Sequence, residues 1–358
     1  MKKPFYAVIL SGGKGERFWP LSTPDKPKQF LSVFGGKSLI RQAMERLLPI
    51  IPKSRILIIT SKDLLKATYK ELPEIPKANI IAEPCRRDTA AAVATACGII
   101  EKRSGEEAVG AILTADHLMA DEEAFRKVLI DAVRAARETD NIVTMGVNPS
   151  YPATGFGYIK VKNKAELKTD TTFFKVHKFV EKPNNKTAKR YFSNKSYVWN
   201  AGMFVWSVKT MKSLLMQHTP ELAILEANLK DEKNTAEVLS VFYPQLTPIS
   251  FDYAIMEKTK KILVSKGDFG WDDVGTWTSA DKHMQIDGRG NAVRGDVTLL
   301  DVSDSVILSD GPCVATLGLK NIVIVATKDS ILVASKTRVQ DLKSLIARIH
   351  PGNDETQV

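Results

Sequence analysis

The segment between Leu10 and Phe30 combines glycines and basic residues in a pattern suited to binding phosphate. It reads LSGGKGER up to Arg17, and Pro27-Lys28-Gln29-Phe30 follows. Glycine has no Cβ atom, so backbone N–H groups in such a loop can approach phosphate oxygens closely. Arg17 can bridge two phosphate oxygens with its planar guanidinium, and Lys28 adds a second positive charge. The spacing fits neither the P-loop nor the Rossmann fingerprint. We expect nucleotide contacts from Leu10, Ser11, Gly12, Gly13 and Gly15.

Three acidic positions farther along the chain follow apolar segments. Glu83 is a candidate for base selection, because a carboxylate can accept hydrogen bonds from the guanine N1–H and 2-amino groups, a donor pair that adenine and uracil lack. Asp116 ends the apolar run Leu113-Thr114-Ala115. Mg²⁺ takes one or two carboxylates together with waters and substrate phosphates, so Asp116 needs a partner acid. The segment Gly270–Trp277, which contains Asp272 and Asp273, offers one. The alternative is that Asp116 and Asp273 cap helices or turns.

A further group of residues has the hydrogen-bonding capacity that a sugar phosphate requires. Gly157 allows a close backbone approach, and Glu181 with Lys182 places a carboxylate and an ammonium after a predicted strand. Asn200 adds an amide. Sugar hydroxyls need both donors and acceptors, which Glu181 and Asn200 supply together, and Lys182 can reach a 1-phosphate.

These residues depend on an alternation of strands and helices in the first two-thirds of the chain. Predicted strands are Phe5–Leu10, Arg55–Thr60, Asn79–Ala82, Val109–Thr114 and Asn141–Val147. Predicted helices between them are Ser38–Leu48, Lys62–Leu72, Asp88–Arg103 and Glu122–Glu138. Such alternation predicts an α/β fold with a Rossmann-like, mostly parallel sheet covered on both faces. Ligands bind at the carboxyl ends of such strands, which is where the motifs lie.

The pattern changes twice toward the C-terminus. From about residue 158 we predict further strands, at Gly157–Val161, Phe173–Val180 and Val198–Trp206, and then helices at Val208–His218, Thr235–Phe242 and Phe251–Glu257. From about residue 284, short β-type runs separated by turns predict a small β-rich domain, either a small β-sandwich or a short β-helix, and we favour the β-helix. A helix at Thr337–His350 closes this domain. We therefore expect a catalytic domain at 1–283 and a β-rich domain at 284–358. The β-rich domain either mediates oligomerisation or caps the fold.

The signature at Ser11–Ser22, followed by Pro27–Phe30, resembles that of the sugar-nucleotide pyrophosphorylases. In its longer form, with Trp-Pro-Leu-Ser, it is similar to that of the bacterial mannose-1-phosphate guanylyltransferases, and the resemblance continues to about Trp277. The resemblance implies that GTP and mannose 1-phosphate give GDP-mannose and pyrophosphate by Mg²⁺-assisted in-line attack on the α-phosphate. It makes Arg17, Lys28, Asp116 and Asp273 the catalytic residues, and it assigns the second metal aspartate to Asp273. In the family, Glu83 lies at the base pocket, and the sugar phosphate is bound at Gly157, Glu181, Lys182 and Asn200.

Composition excludes several other classes of protein. The net charge is +10, but the 51 lysines and arginines are scattered, without a nucleic-acid motif, so we expect no nucleic-acid partner. No apolar run approaches the ~20 residues of a membrane helix, and the three widely spaced cysteines fit a reducing compartment. We expect a cytoplasmic homodimer without an isomerase activity. The alternatives are a related pyrophosphorylase that uses another hexose 1-phosphate, or a non-catalytic nucleotide-sugar sensor.

Overall fold

The structure is a computed structural model that describes residues 4–13, 15–231 and 234–349. The strands in this part of the chain are β1 Phe5–Ser11, β2 Ile56–Ser61, β3 Ile80–Glu83, β4 Val109–Thr114, β5 Leu118–Met119, β6 Ile142–Val147, β7 Tyr158–Lys164, β8 Phe173–Val180, β9 Tyr197–Ser207, β10 Ile262–Gly267, β11 Trp271–Asp272, β12 Ala292–Arg294, β13 Val297–Leu300, β14 Val306–Asp310, β15 Val314–Leu317, β16 Ile322–Thr327 and β17 Ile331–Ser335. The α-helices are α1 Leu39–Glu45, α2 Leu65–Glu71, α3 Asp88–Ser104, α4 Glu122–Glu138, α5 Asn185–Phe192, α6 Val208–His218, α7 Pro220–Asp231, α8 Thr235–Phe242, α9 Ala280–His283 and α10 Leu342–Ile349.

The chain divides into two compact units. The sheet unit contains Met1–Gly12, Ala43–Ala115 and Met119–Trp271. The β-helix unit contains Gly13–Gln42, Asp116–Leu118 and Asp272–Val358. The chain therefore passes from one unit to the other within three of the motifs that the sequence singled out, after Gly12, after Ala115 and after Trp271. The sequence-based division into 1–283 and 284–358 stays a prediction.

The sheet unit is built on a nine-stranded sheet in the order β3-β2-β1-β4-β9-β6-β10-β8-β7. Strands β1 to β4 pair in parallel, as do β6 and β10, whereas β9 lies antiparallel between β4 and β6. Strand β7 pairs antiparallel with both β8 and β9. Strands β1, β2 and β4 are almost wholly buried, as expected for apolar strands covered on both faces. The predicted α/β class is confirmed.

Most predicted elements of the sheet unit lie within a few residues of the bounds expected from the sequence. One predicted element has a different conformation, and two observed elements were not expected. The predicted helix Phe251–Glu257 is a π-helical turn at Asp252–Met256. Helix α7 and strand β10 were not predicted. Strand β10 has three consecutive apolar residues between lysines, too few to distinguish a strand from a turn by periodicity. It becomes a strand because β6 and β8 pair with it.

The β-helix unit contains two small sheets. Strands β12, β14 and β16 pair in parallel, and β17 closes that sheet antiparallel to β16, while β13 and β15 pair in parallel in the second sheet. Successive parallel strands with short connections are typical of a β-helix, so this prediction is confirmed. The predicted helix Thr337–His350 begins as a 3-10 turn at Lys336–Asp341 and continues as α10; His350 lies outside the described residues. The core of the unit includes Phe18, Phe34 and Trp277.

Two carboxylates are buried together between helices of the sheet unit. Glu101 on α3 and Glu226 on α7 are 4% and 3% exposed. Lys212 on α6 donates to Glu101 at 2.7 Å, and the Lys230 ammonium lies 3.1 Å from the same carboxylate. Burial and the negative charge of Glu101 raise the pKa of Glu226 to about 8, whereas the two lysines oppose that rise. Glu226 therefore holds a proton at neutral pH, which allows the carboxyl groups to lie together.

Replacing Glu226 with glutamine is expected to protect the protein from alkaline destabilisation. Because the folded-state pKa of Glu226 is raised, its contribution to stability is complete below about pH 4.5 and is lost as the pH rises through about 8. Thermal unfolding from pH 5 to 9 should show a smaller fall in Tm for E226Q than for wild type. The control is E221Q, at an exposed position on the same helix. Parallel Tm curves for E226Q and wild type would contradict the expectation.

Candidate active site

The structure divides the predicted site residues between the two units. The sheet unit holds Leu10, Ser11, Gly12, Glu83, Gly157, Glu181, Lys182 and Asn200. The β-helix unit holds Gly13, Gly15, Arg17, Lys28, Asp116 and Asp273. Within each unit, residues far apart in sequence come together.

In the β-helix unit, Gly15 packs directly against Lys28. Gly15 has a φ of +63°, and a Cβ atom built on it would lie 2.5 Å from the Lys28 backbone nitrogen. The Ser22 hydroxyl donates to the Gly15 carbonyl at 2.8 Å, which fixes the turn. Arg17 follows on the 3-10 turn Glu16–Phe18, with its side chain exposed. Glycine is required at position 15 both for the backbone conformation and for the close approach of Lys28.

Lys28 brings the two predicted metal aspartates into one cluster. Its buried ammonium donates to Asp116 Oδ2 at 2.9 Å and to the Asp273 backbone carbonyl at 2.5 Å. Although desolvation opposes the charged form, Lys28 and His117 hold the pKa of Asp116 below its usual range. Burial raises the pKa of Asp273 to about 6; Lys28 opposes this rise, and the charges of Asp272 and Asp116 add to it. The cluster concentrates negative charge beside a single ammonium.

Asp272 has a structural role distinct from that of its neighbour. Its Oδ1 accepts from the Val274 backbone N–H at 2.7 Å, and its Oδ2 lies 3.2 Å from both His283 Nε2 and Lys282 Nζ. Burial opposes ionisation, but the hydrogen bonds from His283 and Val274 lower the pKa of Asp272 to about 2. Both oxygens of the Asp272 carboxylate therefore contact protein groups, and Asp273 is the candidate metal ligand.

Asp116 and Asp273 fit a hard divalent cation such as Mg²⁺. Their carboxylate oxygens are the ligand type that Mg²⁺ prefers, and the like charges that raise the pKa of Asp273 favour a cation there. Within the described residues, no group of three or more His, Cys, Asp and Glu side chains forms a complete metal site. Two carboxylates suit an ion that takes its other ligands from substrate phosphates and water.

In the sheet unit, Glu83 ends β3 and is half-buried. Its Oε1 accepts a hydrogen bond from the Tyr243 hydroxyl. Its Oε2 lies 3.7 Å from the position that a Cβ atom on Gly12 would occupy. Ser11 ends β1, and its carbonyl accepts from the Thr60 hydroxyl at 3.0 Å. Glu83 therefore lies beside the first residues of the Gly-rich segment.

The predicted sugar-binding residues also meet in the sheet unit. Because β7 pairs with both β8 and β9, Gly157 before β7 meets Glu181 after β8 and Asn200 within β9. The Asn200 N–H donates to the Gly157 carbonyl at 2.8 Å, and a Cβ atom on Gly157 would overlap Glu181 Oε2. Lys182 pairs with Glu181 Oε1 at 3.2 Å and is otherwise largely exposed. Burial raises the pKa of Glu181, and Lys182 opposes that rise.

Sequence reasoning missed Asp252 in this group. Asp252 Oδ1 accepts from Asn200 Nδ2 at 3.0 Å, while Asn200 Oδ1 accepts from the Thr144 hydroxyl at 3.2 Å and from the Gly202 N–H at 3.2 Å. Burial and the charge of Glu181 raise the pKa of Asp252 to about 7. In the sequence, Asp252 is a carboxylate near the start of a predicted helix. Acidic residues at that position usually stabilise the helix N-terminus, so nothing marked Asp252 as a binding residue.

Replacing Gly15 with alanine is expected to destabilise the β-helix unit by about 3 kcal/mol, because it combines a strained positive φ with a backbone clash against Lys28. Chemical denaturation would measure the loss. The control is G288A, where a Cβ atom meets no other atom within 4 Å and φ is ordinary; its stability should stay within about 0.5 kcal/mol of wild type. Equal effects of the two substitutions would contradict the expectation.

The fold and a family model define this chain as a nucleotidyltransferase. The sequence model of the family described as Nucleotidyl transferase matches residues 6–287. A second model, described as the MannoseP isomerase/GMP-like beta-helix domain, matches residues 295–349. Within the described residues, the helices are too short or too polar to span a membrane.

Similar proteins narrow this class further. The chain is 33% identical to a mannose-1-phosphate guanylyltransferase of Escherichia coli, over 98% of this chain and 76% of that protein. It is 35% identical to the alginate biosynthesis protein AlgA of Pseudomonas syringae pv. tomato, over 98% of this chain and 73% of AlgA. A crystal structure from Thermus thermophilus, described as a mannose-1-phosphate geranyltransferase, is 34% identical with a TM-score of 0.86, covering 96% of this chain and 99% of its own. This chain belongs to the mannose-1-phosphate guanylyltransferase family.

Proposed function

We propose that the protein transfers a guanylyl group from GTP to mannose 1-phosphate. An oxygen of the sugar phosphate attacks the α-phosphorus of GTP in line. The bond from the α-phosphorus to the bridging oxygen breaks, so that GDP-mannose forms and pyrophosphate leaves. The attacking oxygen is already anionic, so the reaction needs no general base. The cluster of Lys28, Asp116 and Asp273 carries the proposal, in a chain similar over nearly its whole length to the E. coli guanylyltransferase.

Each group of residues has a role in this reaction. Arg17 and Lys28 bind the triphosphate, and their charges stabilise the leaving pyrophosphate. Asp116 and Asp273 would hold Mg²⁺, which neutralises phosphate charge when it is bound. Backbone N–H groups at Leu10, Ser11, Gly12, Gly13 and Gly15 approach the phosphates.

Substrate selection belongs to other residues. Glu83 accepts hydrogen bonds from guanine. The sugar phosphate is bound by Gly157, Glu181, Lys182 and Asn200, and we add Asp252 to this set.

A matrix of the four nucleoside triphosphates against several hexose 1-phosphates, scored by pyrophosphate release with Mg²⁺, tests the proposal. GTP with mannose 1-phosphate should give the highest kcat/KM. A higher value with another hexose 1-phosphate would indicate a related pyrophosphorylase. Binding of GDP-mannose without turnover of any pair would indicate a sensor.

Replacing Asp252 with alanine is expected to raise the KM for mannose 1-phosphate about tenfold, because the Asn200 amide loses the acceptor that orients it. The KM for GTP should stay unchanged. The control is D140A, at an exposed position before β6 in the same unit. Steady-state kinetics with each substrate varied would separate the two constants. An equal rise in both KM values would argue for general disruption instead.

The proposal extends to assembly and location. We infer a homodimer formed through the β-helix unit. The support is a set of exposed apolar side chains there, at Leu300, Leu317, Ile331 and Val333. Light scattering should give twice the chain mass, and L300E/L317E should give the monomer mass. We also propose a cytoplasmic location, and the proposed use of GTP supports it.

A further inference from the structure

Tyr243 is a buried residue that the proposed reaction does not yet use. Its side chain is fully buried, and its hydroxyl donates to Oε1 of Glu83, 160 positions away in the sequence. A tyrosine hydroxyl in a core usually bonds to backbone or to a structural partner. Here the partner is the carboxylate proposed to select the base.

The turn that carries Tyr243 is fastened to the segment that follows Glu83. Tyr243 begins the 3-10 turn Tyr243–Gln245 after α8. The Arg87 guanidinium donates to the Pro244 carbonyl at 2.5 Å. The backbone N–H of Phe251 donates to the Thr89 hydroxyl at 2.8 Å. The hydroxyl of Tyr243 is therefore held in a fixed position relative to Glu83.

This contact leaves Glu83 a defined set of free acceptors. A carboxylate offers about four lone-pair directions, and Tyr243 takes one of them on Oε1. Oε2 lies on the side of Gly12 and accepts no hydrogen bond within the part of the chain that the structure describes, so both of its lone-pair directions remain for a ligand. Burial raises the pKa of Glu83 to about 7, and the hydrogen bond from Tyr243 opposes that rise. Tyr243 therefore both orients the carboxylate and favours its ionised form, which is the form that accepts from N1–H and the 2-amino group.

We propose that Tyr243 is a positioning residue for nucleotide selection, because its buried hydroxyl holds Glu83 in the orientation that accepts two hydrogen bonds from guanine. This inference rests on the proposed function. It adds a specificity-determining residue from a distant part of the chain, acting only through Glu83.

Replacing Tyr243 with phenylalanine keeps the ring and removes the hydroxyl. The KM for GTP should rise about tenfold at pH 7 with kcat nearly unchanged, because one hydrogen bond to a charged group is lost. In wild type the KM for GTP should fall as the pH rises through about 7, where Glu83 ionises. In Y243F the fall in the KM for GTP should occur at higher pH than in wild type. The KM for mannose 1-phosphate should not show this shift.

The matched control is Y6F. Tyr6 is also a buried tyrosine of the sheet unit, and its hydroxyl makes one hydrogen bond, with Ser104, at 2.9 Å. It lies near the start of β1, whereas Ser11 and Gly12 lie at the other end. Y6F should leave the KM for GTP and its pH profile as in wild type.

A double-mutant cycle with Glu83→Gln tests whether Tyr243 acts through Glu83. If it does, the effects of the two substitutions on the KM for GTP should not add, and Y243F in the E83Q background should raise that KM no further. Additive effects, or a Y243F profile like that of wild type, would overturn the proposal. A wild-type protein that releases no pyrophosphate from GTP would contradict the proposed function instead.

E83Q alone supplies a second test should Y243F fail to fold. The Tyr243 hydroxyl would hold the amide oxygen of Gln at position 83, so the amide N–H group would face the base. That donor repels guanine N1–H and suits the acceptor N1 of adenine, so the KM for GTP should rise while the KM for ATP falls. An unchanged KM for ATP would count against a fixed orientation.

Discussion

The Asp273→Asn variant is expected to release pyrophosphate about 10³-fold more slowly than wild type at saturating GTP, mannose 1-phosphate and Mg²⁺. The substitution removes one of two carboxylates proposed to hold the metal, and groups that stabilise developing phosphate charge are typically worth about 10²–10³ in kcat. Because Asp273 is half-buried beside the charges of Asp272 and Asp116, the neutral side chain should not lower stability. With EDTA present, Tm should equal or exceed that of wild type.

This combination of lost activity and retained stability distinguishes a functional aspartate from a structural one. The matched control is the adjacent D272N, whose side chain caps Val274 and pairs with His283. D272N should lose stability and keep kcat within about fivefold of wild type, since the amide oxygen still accepts from the Val274 N–H. The reverse result, with D272N inactive and D273N active, would move the metal site to Asp272.

The Lys28→Met variant is expected to lower kcat/KM for GTP about 10³-fold and also to destabilise the protein. The methionine side chain fills a similar volume but leaves Asp116 and the Asp273 carbonyl without their donor. Because Asp116 is about one-third exposed, solvent screens part of the loss, and we expect about 2 kcal/mol. Pyrophosphate release and chemical denaturation would measure the two effects separately.

Two further variants separate the roles of Lys28. K28M/D116N should recover stability, because the unpaired charge is removed, but not activity. The exposed Lys26, two residues earlier, provides the control K26M, which should change neither quantity. A K28M enzyme with near wild-type kcat/KM would show that the ammonium does not act on the triphosphate.

Local sequence was sufficient for the elements whose pattern is strong. The strand β1 is a short apolar run that ends at the Gly-rich segment, and α3 is a long Ala-rich run. Helix α4 repeats its apolar residues at helical spacing. The Gly-rich segment was recognisable because its glycines occur together with a following Lys28. In the structure Lys28 packs so closely against Gly15 that no larger residue fits at position 15. In contrast, helix α7 was not predicted, although Pro220 at its first position is a typical helix-start signal. Its apolar residues form no clear helical pattern in the sequence, and they are buried because they pack in the same core as α3.

The sequence by itself determined the class of chemistry, because residue types and spacing indicate which phosphate, base and sugar contacts are available. Tertiary structure decided which of these groups meet. It joined Lys28 to Asp116 across 88 positions, distinguished Asp273 from Asp272 by their contacts, and placed Tyr243 on Glu83 across 160 positions. Contacts at such separations depend on strand order and helix packing rather than on local pattern. The Gly-rich loop could therefore be found from the sequence, whereas the partners of Glu83 and Asn200 required the fold.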